Sequence, residues 1–221
     1  NSAGVSLITN HATVTNLNIT DTAVFDIVAQ NLVVSGTLSN DSTLKLYGSQ
    51  TFTVGTPDTN SGTTTYIGGT GAIALAPISG YYNLVFNDTD STWTTSALLN
   101  VDGALTVTLG TVVFGATAND VEGAVTVANS ASATLNIGVY TLNVAGDWLI
   151  GAAGTFTAGA GSTVTMDGST QNLTSSGNDF VNLTIAGAST TTAVTALVDA
   201  ISVTGNLTIT SSDDSLDMVA L

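Results

Sequence analysis

The sequence predicts an all-β chain wound as a β-solenoid, a parallel β-helix-like stack with about 20 residues per coil. Three observations carry that expectation. The residues that build surface helices are nearly missing, with one Lys, one Glu and no Arg in 221 residues. Short alternating segments of Val, Thr, Leu and Ile recur between Gly, Asn, Asp and Ser, the punctuation of strands and turns. The chain also repeats itself.

The longest repeat aligns Thr63 to Phe86 with Ser162 to Ile185 without a gap, an offset of 99 residues. Its cores are Tyr81-Tyr82-Asn83-Leu84-Val85-Phe86 and Phe180-Val181-Asn182-Leu183-Thr184-Ile185, and after a length change Val101 to Val107 pairs with Val203 to Ile209. The repeated regions thus span about 63–107 and 162–209. A finer beat lies beneath, because Val101-Asp102-Gly103-Ala104-Leu105-Thr106-Val107 returns 20 residues on as Val121-Glu122-Gly123-Ala124-Val125-Thr126-Val127. Strand centres at Leu84, Leu105, Val125, Leu142, Val164, Leu183 and Leu207 are 21, 20, 17, 22, 19 and 24 residues apart. Leu17, Leu32 and Leu44 suggest a tighter beat near the N-terminus, with intervals of 15 and 12. Such intervals suit coils of two or three strands, each adding about 4.8 Å along the axis.

Within the strands, Leu183 and Ile185 are expected to point inward and Asn182 and Thr184 outward, and Leu207/Ile209 against Asn206/Thr208 repeat the pattern. The best helical stretch, Ala193 to Ile201, is weakened by its Val and Thr content. One repeat-built domain over 1–221 is the expected organisation. The alternative is a pair of β-sandwiches divided near 100–110, since regularly spaced short strands also fit that fold.

Composition excludes several functions. A formal net charge of -15, with Lys45 as the lone basic residue, leaves nothing to release counterions from a phosphate backbone or to hold anionic lipid. Nucleic acid and anionic membranes are therefore not expected partners. No apolar run reaches the ~18 residues of a membrane span. With no Cys there is neither a disulfide framework nor a thiolate metal site. The Thr/Ser/Asn/Gly-rich, Lys-poor composition points to an extracellular or cell-surface product whose leader has been removed.

The succession Leu142-Asn143-Val144-Ala145-Gly146-Asp147-Trp148, Gly154-Thr155-Phe156-Thr157-Ala158-Gly159, Thr163-Val164-Thr165-Met166-Asp167-Gly168-Ser169 and Phe180-Val181-Asn182-Leu183-Thr184-Ile185 resembles a known kind of repeat. It is similar to the Gly/Thr-rich β-solenoid-like repeats of large secreted bacterial and archaeal surface proteins and adhesins, over about residues 63 to 210. The resemblance implies surface structure, adhesion or assembly. It brings no catalytic residues.

Neither terminal segment reads as a cap. Ser6, Leu7 and Ile8 at one end and Leu216, Met218, Val219 and Leu221 at the other lie in ordinary strand sequence, which leaves rows of unpaired backbone groups for a neighbour to complete. The expected function is a structural subunit of an extracellular filament or cell-surface assembly, polymerising head to tail with itself. A carbohydrate-binding adhesin stalk module, with surface glycans as partner, is the alternative; a β-helix glycosidase is the third. No enzyme is expected, because a polysaccharide lyase needs cationic groups that this chain lacks. His11, the single histidine, lies in no nucleophile motif. A glycosidase needs two suitably spaced carboxylates and would profit from aromatic platforms, which are sparse.

No cofactor is expected, with Ca²⁺ as the one candidate ion. Its candidate ligands are Asp88 and Asp90 and, further on, Asp213, Asp214 and Asp217, although no EF-hand or Gly-Gly-x-Gly-x-Asp repeat surrounds them. Asp102 with Asp120 and Glu122 forms another acidic group. Trp93, Trp148, Tyr81 and Tyr82 are readable as sugar contacts or as rings plugging the coils. Sequons begin at Asn18, Asn40, Asn87, Asn172, Asn182 and Asn206, with Asn40 and Asn87 expected in turns. Thr-x-Thr pairs at Thr13/Thr15, Thr51/Thr53, Thr106/Thr108, Thr155/Thr157, Thr163/Thr165 and Thr208/Thr210 suit solvated strand faces, and a flat rank of them suits ordered water or ice.

Overall fold

A computed structural model describes residues 4–7, 11–69, 71–75, 80–116, 118–187 and 194–218. Among these there is no helix, and every paired strand runs parallel to its neighbour. The chain winds as a succession of short strands and turns into a β-solenoid of about nine turns with roughly 21 residues each. At about 4.8 Å per rung the stack is on the order of 45 Å long.

Each turn contributes strands to three sides. The first side collects Val5–Ser6, Val24–Asp26, Thr43–Leu46, Thr63–Tyr66, the opening halves of Asn83–Thr95 and Leu105–Val113, Val125–Val127, Trp148–Ile150, Thr170–Thr174, Val194–Leu197 and Ser215–Met218. The second side includes the closing halves of Asn83–Thr95 and Leu105–Val113, followed by Ala133–Gly138 and Thr155–Ala158. The third runs through Asn100–Val101, Asn119–Val121, Thr141–Val144, Thr163–Met166, Asn182–Ile185 and Leu207–Ile209.

Register follows the repeat. Leu105, Thr106 and Val107 lie on Val125, Thr126 and Val127, so the 20-residue recurrence in the sequence is one turn of the solenoid. Alternation then sends one residue in two inward, and like residues stack on like. Leu84, Leu105, Val125, Trp148, Leu173 and Leu197 form one inner column, and Val101, Val121, Val144, Met166, Ile185 and Ile209 another. The buried apolar side chains join in one continuous core.

The glycine of the recurring motif is required by this stacking. A Cβ on Gly123 would stand 2.5 Å from the Gly103 carbonyl oxygen, and one on Gly146 would stand 2.4 Å from the Ala124 nitrogen. Backbones approach too closely there for any side chain. Gly110 has a different reason: at φ +86° it turns the Leu105–Val113 strand from the first side onto the second.

Rings fill the interior. Tyr81, Tyr66, Phe86 and Trp93 form a chain with successive centroids 6.4, 5.3 and 5.1 Å apart, and Trp148, Phe156 and Phe180 form a second cluster. Trp93, Trp148 and Tyr81 are buried and so serve as core, not as sugar platforms; Tyr82 is half-buried.

The stacking assigns several segments otherwise than their spacing in the sequence suggests. The strand centres from Val125 to Leu142 belong to different sides, so the interval of 17 is a step within a turn; the true rung from Val121 leads to Val144. The tight N-terminal beat has the same origin, since Leu17 stacks on Leu38, Leu32 on Phe52 and Phe25 on Leu44, at intervals of 21, 20 and 19. The two copies of the 99-residue repeat are also out of phase: Thr63–Tyr66 lies on the first side and Thr163–Met166 on the third. The likeness therefore reflects what any strand–turn–strand of this solenoid needs. Of the stretch Ala193 to Ile201, Val194–Leu197 is a strand, its β-branched content having prevailed. Across 100–110, where a sandwich boundary was the alternative, Asn83–Thr95 and Leu105–Val113 pair in parallel and carry the stack onward.

Candidate functional site

The exceptional chemistry of this chain lies at the ends of the stack. In the column of the third side, Leu183 and Ile185 are fully buried. One rung further, directly in register with them, Leu207 is 49% exposed and Ile209 45%. Neither residue differs in type from those beneath; among the described residues no rung lies above them. Leu216 is partly buried and Met218 is 77% exposed on the last described strand of the first side, Ser215–Met218. That strand pairs with Val194–Leu197 along one edge, and its other edge has no strand partner among the described residues.

At the opposite end Val5, Leu17, Ile19, Ala23, Val24 and Phe25 line an open apolar cavity of about 270 Å³. Val5 is 61% exposed, Ser6 is exposed, and Leu7 is half-buried with its N–H donating to the Asp26 carbonyl at 2.9 Å. Of the residues expected at the assembly ends, Ser6, Leu7, Leu216 and Met218 are therefore seen there; Ile8, Val219 and Leu221 lie outside the described residues. Sequence reading missed Leu207, Ile209, Leu17 and Phe25. Their side chains look like any core residue in the sequence, and only their rung number exposes them.

The acidic candidates are dispersed. The Ser91 hydroxyl lies within hydrogen-bond reach of both the Asp88 carboxylate and the Gly69 carbonyl, and Asp90 is exposed beside it. Asp214 is buried and accepts the Thr210 hydroxyl at 3.0 Å and the Gly187 N–H at 3.2 Å, tying the last turn together; Asp213 and Asp217 face solvent. Among the described residues no three His, Cys, Asp or Glu side chains converge as a metal site would need.

One carboxyl is set apart. Asp167 follows Met166 as Asp102 follows Val101 and Glu122 follows Val121 on the same side of the stack. Its Oδ1 is buried without a hydrogen-bond partner. Burial, then repulsion from Asp120 and Glu122, pushes its pKa up to about 6. Asp58 shows the reverse balance. Burial opposes its charge, but the Asn40 and Asn60 N–H groups and Ser61 outweigh it and hold the carboxyl below its usual range. The buried hydroxyls of Tyr66 and Tyr81 share a hydrogen bond of 2.8 Å. Burial raises both, Tyr66 to about 12. His11 is exposed in a left-handed turn conformation, at φ 65°.

The sequons divide by exposure. Asn18, Asn87, Asn172 and Asn206 are exposed. Asn182 is half-buried, donating to the Ser162 carbonyl at 2.8 Å and accepting the Asn206 N–H at 3.0 Å, so it clamps three successive rungs. Asn40 is buried at 3% exposure and its Nδ2 donates to the Thr63 carbonyl at 3.2 Å. A glycan at that nitrogen is incompatible with the folded rung. Asn40 ends the strand Leu32–Asn40 and Asn87 lies within Asn83–Thr95, so neither occupies the free turn expected of it.

No helix among the described residues is long and apolar enough to cross a membrane. No protein-family model, no curated protein and no solved structure matches the chain.

Proposed function

We propose that this protein is a structural subunit of an extracellular filament or cell-surface assembly, built head to tail by stacking the rungs at one end of the solenoid on those at the other. The observation that carries the reading is the change from full burial at Leu183 and Ile185 to about half exposure at Leu207 and Ile209, one rung on. A second copy is the occupant that fits best. All rungs share one strand direction, so a translation along the axis brings the open parallel edge of Ser215–Met218 onto that of Val5–Ser6, with Leu207–Ile209 and Leu17–Ile19 facing each other across the joint. The apolar cavity at Leu17 and Phe25 then receives the apolar residues of the other end.

Such a contact is heterologous and does not close on itself, which is the geometry of a fibre. Edge-to-edge pairing supplies the backbone bonds, and the inner columns continue across the joint. The net charge of -15 opposes association at low ionic strength, so salt and falling pH should promote it. Purified 221-residue chain should show concentration-dependent growth in sedimentation velocity. A single monomeric boundary from micromolar to millimolar concentration, at both low and high salt, would refute the proposal and leave the open rungs to be covered by other segments of a longer polypeptide.

A further inference from the structure

The second side of the solenoid carries a feature that end-to-end stacking does not use. Four consecutive rungs present Thr92 and Thr94, Thr111 and Val113, Thr134 and Asn136, and Thr155 and Thr157 to the outside, each pair in register with the next. One column, Thr92, Thr111, Thr134 and Thr155, is threonine throughout. No charged side chain interrupts the eight positions; Asp88 and Asp90 stand at the corner before Thr92. Asn136 turns its Oδ1 to the Gly138 N–H at 2.8 Å, whereas none of the six threonine hydroxyls bonds to another group among the described residues. A rank of hydroxyls thus faces solvent without an intramolecular partner among the described residues.

Behind this surface the inward residues of the same rungs, Trp93, Val112, Leu135 and Phe156, form an in-register buried column that fixes the sheet. The hydroxyls are therefore held on a grid. Its period is about 4.8 Å between rungs and about 6.6 Å between alternate residues of a parallel strand. Both periods are near the repeats of water oxygens on a prism face of hexagonal ice. Each threonine adds a methyl group beside its hydroxyl, which lets neighbouring water order without competing charge.

We propose that this side of the solenoid binds ice, with the threonine hydroxyls of these four rungs taking positions in the surface water lattice. The third side is less suited, because Asp120, Glu122 and Asp167 lie on or beside it. The inference is independent of filament formation, since a single subunit presents the whole grid.

The test is thermal hysteresis and ice-crystal shaping by the purified 221-residue chain, together with its partition into a slowly growing ice hemisphere. The wild-type chain should facet ice crystals and enter the ice. Thr134→Tyr, at the centre of the grid, should lose most of the hysteresis. Thr126→Tyr, on the outer surface of the first side, should keep it. Thermal melts establish that each variant is folded, and Thr155→Tyr replaces Thr134→Tyr if the latter is not. Round crystals and exclusion of the wild-type chain from ice would overturn the proposal, as would equal loss in folded variants of both sides. Retention on crystalline cellulose with no entry into ice would overturn it in favour of a polysaccharide surface.

Discussion

Leucine-to-alanine substitutions at two stacked positions separate a closed rung from an open one. Leu183 is fully buried and Leu207, in register above it, is 49% exposed. Removing a buried leucine side chain costs about 2–5 kcal/mol, transfer and cavity terms together. Leu207 keeps about half of the ~1.5–3 kcal/mol that full burial of a leucine is worth and leaves no closed cavity, so Leu207→Ala should cost about 1 kcal/mol in the monomer. Urea unfolding at protein concentrations below the onset of association, followed by circular dichroism, should place the Leu183→Ala midpoint well below that of Leu207→Ala. Assembly reverses the order of importance. A joint that buries Leu207 loses roughly 1 kcal/mol when the side chain is cut back, about a fivefold weaker association by sedimentation. If Leu207→Ala destabilises the monomer as much as Leu183→Ala, the last rung is already covered and the reasoning about open ends is wrong.

Other perturbations test the stacking and the electrostatics. Gly123→Ala forces a Cβ against the Gly103 carbonyl oxygen, 2.5 Å away, and should cost about 1–3 kcal/mol by separation of the rungs; a thermal melt unchanged from wild type would contradict the close approach. The Asp167 carboxyl, raised to about 6 in the fold, is disfavoured as an anion, so its penalty is absent below the unfolded value near 3.8 and complete above about pH 6. Asp167→Asn should therefore stabilise the protein at pH 8 by about 1–2 kcal/mol, discounted for partial solvent exposure, and have little effect at pH 3.5, as measured by urea titration at both values. Trypsin has a single target, Lys45, in the Thr43–Leu46 strand between two paired neighbours. Cleavage should be slow in the native chain and rise with urea as that strand opens, whereas rapid native cutting would place Lys45 in a loose segment.

The solenoid was legible because its requirements are local. Val101 to Val107 and Val121 to Val127 show the same alternation, the same glycine and the same interval, and the structure makes them adjacent rungs. The assignment of strands to sides was not legible. All three sides demand the same pattern of inward apolar and outward polar residues, so Leu142 reads as the successor of Val125 although it stacks on Asn119. The same degeneracy hid the phase shift between Thr63–Tyr66 and Thr163–Met166.

The ends illustrate a different limit. Leu207 and Leu183 have equivalent sequence surroundings, Asn206-Leu207-Thr208-Ile209 and Asn182-Leu183-Thr184-Ile185, and differ in exposure solely through their place in the stack. Asn40 shows the converse. Its Asn-Asp-Ser context suggests an exposed turn, yet Asn40 is the last residue of the ladder with Leu17–Ile19 and its side chain is drawn inward to the Thr63 carbonyl. The threonine pairs were visible in the sequence, but their alignment over four rungs of one side depends on turn lengths that differ from coil to coil.

Electron cryo-microscopy of the concentrated 221-residue chain tests the assembly most directly. End-to-end stacking predicts filaments with a strong meridional spacing near 4.8 Å and an axial subunit repeat of about 53 Å, set by the rungs of the first side, with Leu207 and Ile209 buried at the joint. Isolated particles one solenoid long at every concentration, or filaments joined through their sides with the end rungs exposed, would contradict it.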